Sequence, residues 1–498
     1  MKINIYKYEL LTFFTIPLLL AATSTKQLLL TYIGYGIFLF FFTRDTLKSV
    51  LFKILLLSLS FDVIIRGWTI QTVISHAINH YHYEFFFGFS VSFLTTISLL
   101  LLLIKNRMQI RALHIPTYVY FLGFTVLWSL ISALVAQNTS LALFGVVQLF
   151  TSASILILSI YFFSDANERT YFIHQTIIVV LYAGLLGTIQ YIYQHPIGLF
   201  IEQTKFLAPS GYMTTDGVSL QRVAGQLSHP TYFGTYLSLL LPIVIGSFVL
   251  IINTYKRNRI RWILYLSSSV LGSIALLATF SRSAWISMIL IVFLYILNRH
   301  IALRERKRMS LSSIFLIAGS VICVVFFGMS EILTRLSSFS TLMQYGNAAP
   351  RIELMKIAWN ITKQNPIIGI GLNHFTTVVD TMNVPNIIAR FIYPVHNTFL
   401  LFLSEIGFPA GLAFILFCII GIIKTYNITQ SHPFSLFAWL GCVTFFINSQ
   451  VHTIFNQDPS FSIFMVLLGY LIATQYNAKT YNRRHRHQKP PKTTRAMS

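Results

Sequence analysis

About fourteen long apolar runs, separated by polar connections, constrain this sequence more than any other feature. A chain of 498 residues that is 55% hydrophobic and only 10% charged cannot bury so many runs in a water-soluble core. We therefore predict an all-α polytopic membrane protein with about fourteen transmembrane helices and an outer amphipathic helical loop region. The predicted spans begin near Leu10, Gln27, Val50, Phe85, Pro116, Leu141, Tyr171, Tyr232, Trp262, Ala284, Leu311, Asn397, Pro433 and Pro459.

Basic residues in the connections set the predicted orientation, because Lys and Arg are retained on the cytoplasmic side. With the N-terminus inside, the strongly basic connections also fall inside: 44–53, 105–111, 256–261 and 299–308. The first run follows Lys2 and Lys7 and ends in small residues, so a signal peptide is an alternative. An uncleaved first span keeps the strongly basic connections on the inside, so we favour it over a signal peptide.

The long polar connections divide the chain into six predicted regions, and outer loops of such length are usually functional. An amphipathic helix lying on the membrane is expected from Pro350 to Trp359. The regions are N-terminal transmembrane helices (1–193), an outer loop (194–230), transmembrane helices with the Arg282 turn (231–328), a large extracytoplasmic loop (329–395), C-terminal transmembrane helices (396–475) and a basic cytoplasmic tail (476–498).

Charge alone does not indicate a nucleic-acid partner. The net charge of +22 is explained by the inside bias of Lys and Arg and by attraction to anionic lipids. We predict membrane lipids as partners, and no nucleic acid. The cysteines Cys323, Cys418 and Cys442 all lie within spans and give neither a disulfide framework nor zinc spacing.

Two polar groups in the first half of the chain leave alternatives open. Asp62 and Arg66 lie one helical turn apart in the third span, which suits a structural ion pair better than a substrate contact. A denser group of histidines precedes the fourth span. These histidines are either incidental members of an aromatic loop or ligands of a transition metal. No acidic partner lies at a recognised offset, so we predict no metal and no cofactor. This group is His76, His80, His82 and Glu84.

Several cationic residues lie at predicted outer helix ends. Arg282 sits at a short turn between two apolar runs, where it must face water, an anion, a protein partner or lipid headgroups. Arg222 and His229 lie near the mouth of the span that begins at Tyr232, as headgroup anchors or as ligands. His396 comes just before a helix that Asn397 is expected to cap, where helix dipole and free amides favour an anion.

Three sequence pieces resemble the O-antigen ligase and polymerase superfamily of bacterial cell-surface glycan assembly. They are Ser281-Arg282-Ser283, the stretch from Pro350-Arg351 to Gly371, and His396-Asn397 with Gly407 after nine intervening residues. The resemblance covers residues 220–412. It departs at His229-Pro230-Thr231, where the family usually has Asn-Pro-Asn, and the second glycine after Gly407 is displaced by one position to Gly411.

The resemblance implies metal-independent transfer of a glycan from a polyprenyl-diphosphate carrier to a glycan or lipid-linked acceptor. The site would face outward from the bacterial cytoplasmic membrane. His396 would be the general base, Arg282 and Arg351 would hold the diphosphate, and Arg222, His229 and Asn397 would contribute to substrate binding. Ligase and polymerase differ only in the acceptor, which the sequence does not identify. A transporter or flippase of sugars or lipid-linked oligosaccharide is the alternative.

Overall fold

The computed structural model is predominantly helical, and a helix lies in every predicted span that it describes. The predicted span near Leu311 and the histidine group at 76–82 lie outside the described residues. Those residues are 2–61, 64–69, 86–105, 115–200, 212–215, 218–227, 229–251, 259–302, 349–382, 384–385, 388, 392–430, 432–455 and 459–487.

The helices follow one another along the chain with two short β-hairpins between them. The helices are α1 (Lys2–Ala21), α2 (Thr25–Thr43), α3 (Leu47–Ser58), α4 (Val91–Lys105), α5 (Val119–Val135), α6 (Thr139–Phe162), α7 (Ala166–Tyr193), α8 (Pro230–Ile251), α9 (Arg259–Ala278), α10 (Arg282–Ala302), α11 (Ala349–Gln364), α12 (Phe375–Thr381), α13 (Thr398–Thr429), α14 (Pro433–Ser449) and α15 (Ser460–His487). The antiparallel hairpins pair β1 (Ile64–Thr69) with β2 (Phe86–Ser90), and β3 (Tyr212–Thr215) with β4 (Val218–Gln221).

The helical class is confirmed in its main feature, whereas the count of about fourteen membrane helices is not. Within the described part of the chain, 7 helices are long and apolar enough to cross a membrane: α2, α6, α7, α8, α9, α13 and the Ser460–Ala478 part of α15. Helices α4, α5, α10 and α14 are apolar but shorter. The 12 residues of α3 would rise roughly 18 Å, short of a bilayer core.

The first hairpin corrects one detail of the sequence analysis. Arg66 lies in β1, where it pairs with Gly88 of β2. Its predicted helical spacing from Asp62, which lies outside the described residues, is therefore wrong. The third apolar run ends as helix at Ser58, and the chain continues in extended conformation that hydropathy does not reveal.

Buried ion pairs join α1, α3, α7 and α9 near the ends of these helices that the basic rule places inside. Lys53 Nζ lies 2.7 Å from Asp45 Oδ2 and 3.5 Å from Glu168 Oε1. His174 Nδ1 lies 2.7 Å from Glu9 Oε1, and Arg261 Nη2 lies 3.2 Å from Glu9 Oε2. Because a carboxylate lies within reach of each of these groups, we interpret the contacts as structural.

A second, smaller core forms where α11 and α12 pack on the start of α13. It contains the buried face of α11 together with Phe375, Val379 and Leu401. The predicted amphipathic helix is confirmed, because α11 has an opposite face that exposes large apolar side chains. The buried face carries Leu354, Ala358 and Ile361, and the exposed one Ile352, Met355 and Trp359.

Candidate functional site at one end of the helices

Four helix starts supply the cationic residues that the sequence singled out. His229 directly precedes α8, Arg282 is the first residue of α10, Arg351 lies in the first turn of α11, and His396 precedes α13 by two residues. The first turn of a helix has free backbone N–H groups and a positive dipole potential. The arrangement therefore favours an anionic ligand.

The charges of these residues act on one another, so the structure brings them together. Arg351 lowers the pKa of His229 and of His396, and it is in turn close enough to Arg282 for their charges to interact. Arg222 acts on His229 as well. Arg282 and Arg351 are exposed residues, although burial lowers the pKa of the Arg351 guanidinium.

Arg222 fastens the loop before α8 to the turn between α9 and α10. Its Nε donates to the Thr279 carbonyl at 2.9 Å, and its Nη2 donates to Thr231 Oγ1 at 3.4 Å. The Val223 amide also donates to the Ala278 carbonyl at 3.1 Å. The geometry thus gives Arg222 a bridging role beside the other cations, and its predicted substrate contact stays a prediction.

His229 caps α8 through its ring. The Thr231 amide donates to His229 Nδ1 at 3.2 Å, which requires that this nitrogen be unprotonated. Burial, followed by the charges of Arg222 and Arg351, lowers the pKa of His229 to about 4. The ring nitrogen does here what an asparagine oxygen does at a helix start, which explains the departure from Asn-Pro-Asn. The predicted substrate contact of His229 stays a prediction.

Asn397 is the predicted cap of α13, and the structure confirms this role. Its backbone is extended, with φ −155°, and its Oδ1 accepts from the Leu400 amide at 2.9 Å. Its Nδ2 donates to the Gln450 carbonyl at 3.2 Å, beyond the end of α14. Asn397 therefore fixes the start of α13 against α14, and its predicted ligand role remains untested.

The ring of His396 is neutral and has a nitrogen free for a new partner. Burial first, and then the charges of Arg351 and His229, lower the pKa of His396 to about 3. Its Nδ1 is buried and has no hydrogen-bond partner among the described residues. The ring packs edge-to-face with Tyr393 at a centroid distance of 6.2 Å. A neutral imidazole can accept a proton, and an anion bound beside it would raise its pKa and make it a stronger base.

A further histidine, His452, belongs to the same site and was missed in the sequence. It follows α14, is only 7% exposed, and its Nε2 lies 2.5 Å from Ser283 Oγ. Its backbone carbonyl accepts from Thr398 Oγ1 at 2.7 Å, and its pKa lies well below the usual value because of burial and the charges of Arg351 and its neighbours. The available signal was a histidine just beyond an outer span end.

The glycines of the family-like pieces meet at a break in α13. Gly407 has φ 76° and interrupts the helix two residues before Pro409. The Pro366–Gly371 turn fills the break, because the Phe408 amide donates to the Pro366 carbonyl at 2.7 Å and the Gly371 amide to the Glu405 carbonyl at 2.8 Å. Two motifs far apart in sequence thus form one contact below His396.

Gly407→Ala is expected to destabilise the protein. A Cβ at this position would lie 2.2 Å from the Ile367 carbonyl oxygen. The backbone angles, φ 76° and ψ 172°, are essentially restricted to glycine and cost another residue about 1–3 kcal/mol. A lower unfolding temperature in detergent, measured by intrinsic fluorescence, checks this result. Gly123→Ala is the matched control in α5, since a Cβ there meets nothing within 4 Å. Equal unfolding temperatures for the two variants would contradict the packing described.

The described residues include no group of three or more His, Cys, Asp or Glu side chains placed to hold a metal ion. The three site histidines therefore do not constitute such a group. The arginines give the site a positive field, and in that field the three histidine rings are neutral. The arrangement can bind an anion and accept a proton beside it.

Fold and site together define a multi-pass membrane protein with a cationic, histidine-bearing site at one end of its helices. A family model described as O-antigen ligase matches residues 267–415, which include Arg282, Arg351 and His396. The matched region is thus similar to the O-antigen ligase family, which is the superfamily that the sequence motifs predicted.

A curated relative points to the same superfamily. The chain is 24% identical over 258 residues to the ComP-specific O-oligosaccharyltransferase of Acinetobacter baylyi, which covers 51% of this chain and 44% of the relative. The match thus spans less than half the length of that relative.

Proposed function

We propose that the protein is a membrane glycosyltransferase that moves a glycan from a polyprenyl-diphosphate carrier to an acceptor hydroxyl. The observation that carries this proposal is the grouping of Arg222, Arg282 and Arg351 around neutral histidines at one end of the helices. The match to the O-antigen ligase family model and a relative named for oligosaccharide transfer support the same reaction class. The acceptor is another glycan or a second carrier-linked glycan.

The arginines would act on the donor. A lipid diphosphate carries concentrated negative charge, and guanidinium groups are permanently charged, planar partners for its oxygens. Arg282 and Arg351 are exposed on helix first turns, so their side chains and the local amides would bind together. This charge would stabilise the diphosphate as it leaves, without a metal ion.

His396 would act on the acceptor. The acceptor oxygen attacks the anomeric carbon of the donor sugar, the bond from that carbon to the diphosphate oxygen breaks, and the electron pair leaves with the diphosphate. The proton of the attacking hydroxyl passes to His396, whose Nδ1 has no partner among the described residues. The positive charge created on the imidazole is then offset by the nearby anionic leaving group.

Reconstitution tests this function directly. Purified protein in liposomes would be supplied with an undecaprenyl-diphosphate oligosaccharide and candidate acceptors, and products would be sized by gel and mass spectrometry. The expected result is a product whose mass is the sum of glycan and acceptor, with release of undecaprenyl diphosphate. Movement of intact donor across the bilayer without any new glycosidic bond would instead favour the transporter alternative.

The proposed location is the bacterial cytoplasmic membrane, with the site facing outward. Cysteines introduced at Thr214 and Asn383, on the two predicted outer loops, are expected to react with a membrane-impermeant maleimide on intact cells. A cysteine at Lys48, in a predicted inside connection, should react only after permeabilisation. Protection of both outer positions on intact cells would invalidate the orientation.

A further inference from the structure

At the edge of the site, the partly exposed Ser283 is hydrogen-bonded to the buried His452. Ser283 is partly exposed in the first turn of α10, immediately after Arg282, and its Oγ lies 2.5 Å from His452 Nε2. The same Oγ lies 3.3 Å from Ser281 Oγ. The serine hydroxyl thus stands between a histidine inside the protein and the surface on which the arginines are presented.

The start of α13 holds the backbone around His452 in place. The His452 carbonyl accepts from Thr398 Oγ1 at 2.7 Å, and the same Thr398 oxygen accepts from the Ile454 amide at 3.0 Å. Two residues earlier, the Gln450 carbonyl accepts from Asn397 Nδ2. The start of α13, which carries His396, therefore also fixes the histidine that contacts α10.

A bound anion would select one direction for the hydrogen bond between Ser283 and His452. His452 is neutral, because it is buried and surrounded by Arg351, Arg222, His396 and His229, so one ring nitrogen bears a hydrogen and the other does not. If Nε2 accepted the Ser283 hydrogen, the serine would present lone pairs to an anion. If Nε2 donates, the serine hydrogen remains for the ligand, which is the arrangement that an anion stabilises.

We propose that Ser283 binds a diphosphate oxygen of the lipid-linked donor through its hydroxyl hydrogen, and that His452 is a positioning residue that orients this hydroxyl by donating from Nε2. This inference rests on the proposed function, since it assigns a ligand contact within the same site. It adds a neutral hydrogen-bond donor beside Arg282. The site would then recognise the diphosphate by the positions of its oxygens as well as by its charge.

A serine one turn deeper provides the contrast. Ser287 is fully buried in α10, donates to the Ala284 carbonyl at 2.9 Å, and lies 3.3 Å from Asn448 Nδ2. Both of its contacts are internal to the protein, so it is a structural hydroxyl. Ser287→Ala is therefore the matched control for Ser283→Ala, with the same substitution on the same helix.

The test measures binding of undecaprenyl diphosphate to the purified full-length protein in detergent, together with kcat and KM for transfer. Ser283→Ala and His452→Leu are each expected to weaken diphosphate binding about tenfold, the scale of one hydrogen bond to a charged group. The double variant should be no weaker than either single variant, because His452 acts through Ser283. His452→Gln, which restores an amide donor, should recover most of the affinity, and Ser287→Ala should match the wild type.

The outcomes separate this inference from the proposed function. If Ser283→Ala binds and transfers like the wild type, Ser283 does not contact the donor and the inference is wrong. If His452→Leu weakens binding a further tenfold in the Ser283→Ala background, His452 does not act through the serine. A wild type that binds undecaprenyl diphosphate but forms no product would overturn the transferase function alone. If His452→Leu misfolds, Ser283→Ala and His452→Gln still test whether Ser283 contacts the diphosphate and whether His452 orients it.

Discussion

His396→Ala is expected to lower the rate of glycan transfer by about 10² or more while donor binding stays near normal, the usual scale for removing a positioned base. The ring is neutral, and its Nδ1 is buried with no partner among the described residues. Donor affinity and single-turnover transfer should be measured on the same preparations, with folding checked by gel filtration. Transfer at the wild-type rate would show that His396 is not the base.

His432→Ala is the matched control for this variant. His432 also stands directly before a membrane helix, α14, but at the opposite end from the site, and it is exposed. Its removal should leave both donor affinity and transfer unchanged. If His396→Ala instead loses donor binding with transfer otherwise intact, His396 belongs with the arginines as a ligand of the diphosphate.

The pH dependence follows from the same histidine. A base must be unprotonated, and a pKa of about 3 in the free protein keeps His396 ready across the neutral and mildly acidic range. As the pH falls, kcat/KM should therefore stay constant to values well below about 6.5, which is the pKa of an unperturbed histidine. Bound diphosphate favours the charged ring, so the acid limb of kcat should lie at higher pH.

The folded protein itself should become less stable in acid, so a fall in rate at low pH can come from unfolding as well as from titration of the base. His229, His396 and His452 have lowered pKa values in the folded state, so below a pH of about 6.5 the unfolded chain binds more protons than the folded one. Stability is thus present above that pH and is lost as the pH falls. Initial rates after a brief pH change, with recovery on return to pH of about 7.5, separate titration of the base from unfolding.

Replacing Arg351 or Arg282 by lysine is expected to weaken donor binding and transfer about tenfold, and the double alanine variant should lose about 10² or more. Lysine keeps the charge but loses the planar fork that holds two phosphate oxygens at once. Both residues are exposed in the first turns of their helices, and lysine keeps most of the aliphatic part of each side chain, so we expect loss of packing to contribute little. Affinity for undecaprenyl diphosphate and the KM for donor are the measurements.

Arg259→Lys controls for the substitution itself. Arg259 is the exposed first residue of α9, as Arg282 is of α10, but at the end of the helices away from the site. This variant should retain wild-type affinity. Full activity in both Arg282→Lys and Arg351→Lys, at normal expression, would make the two arginines headgroup anchors rather than diphosphate ligands.

The sequence by itself determined where the main helices lie, because hydropathy is a property of consecutive residues and a bilayer requires long apolar runs. It also singled out Arg282 and His396 as candidates, since a charge or histidine beside such a run is costly without a use, and the family resemblance added Arg351. The cap at Asn397 followed from local chemistry as well, because its acceptor serves an amide three residues away.

Only the tertiary structure showed that His452 reaches Ser283, 169 residues away, and that the Pro366–Gly371 turn fills the break at Gly407. The hairpin at β1 and β2 was likewise invisible in the hydropathy pattern. Each of these features depends on which distant segments pack side by side, and no local propensity encodes that choice. The same packing brings Arg222, Arg351 and the three histidines within range of one another's charge, which converts scattered residues into one site.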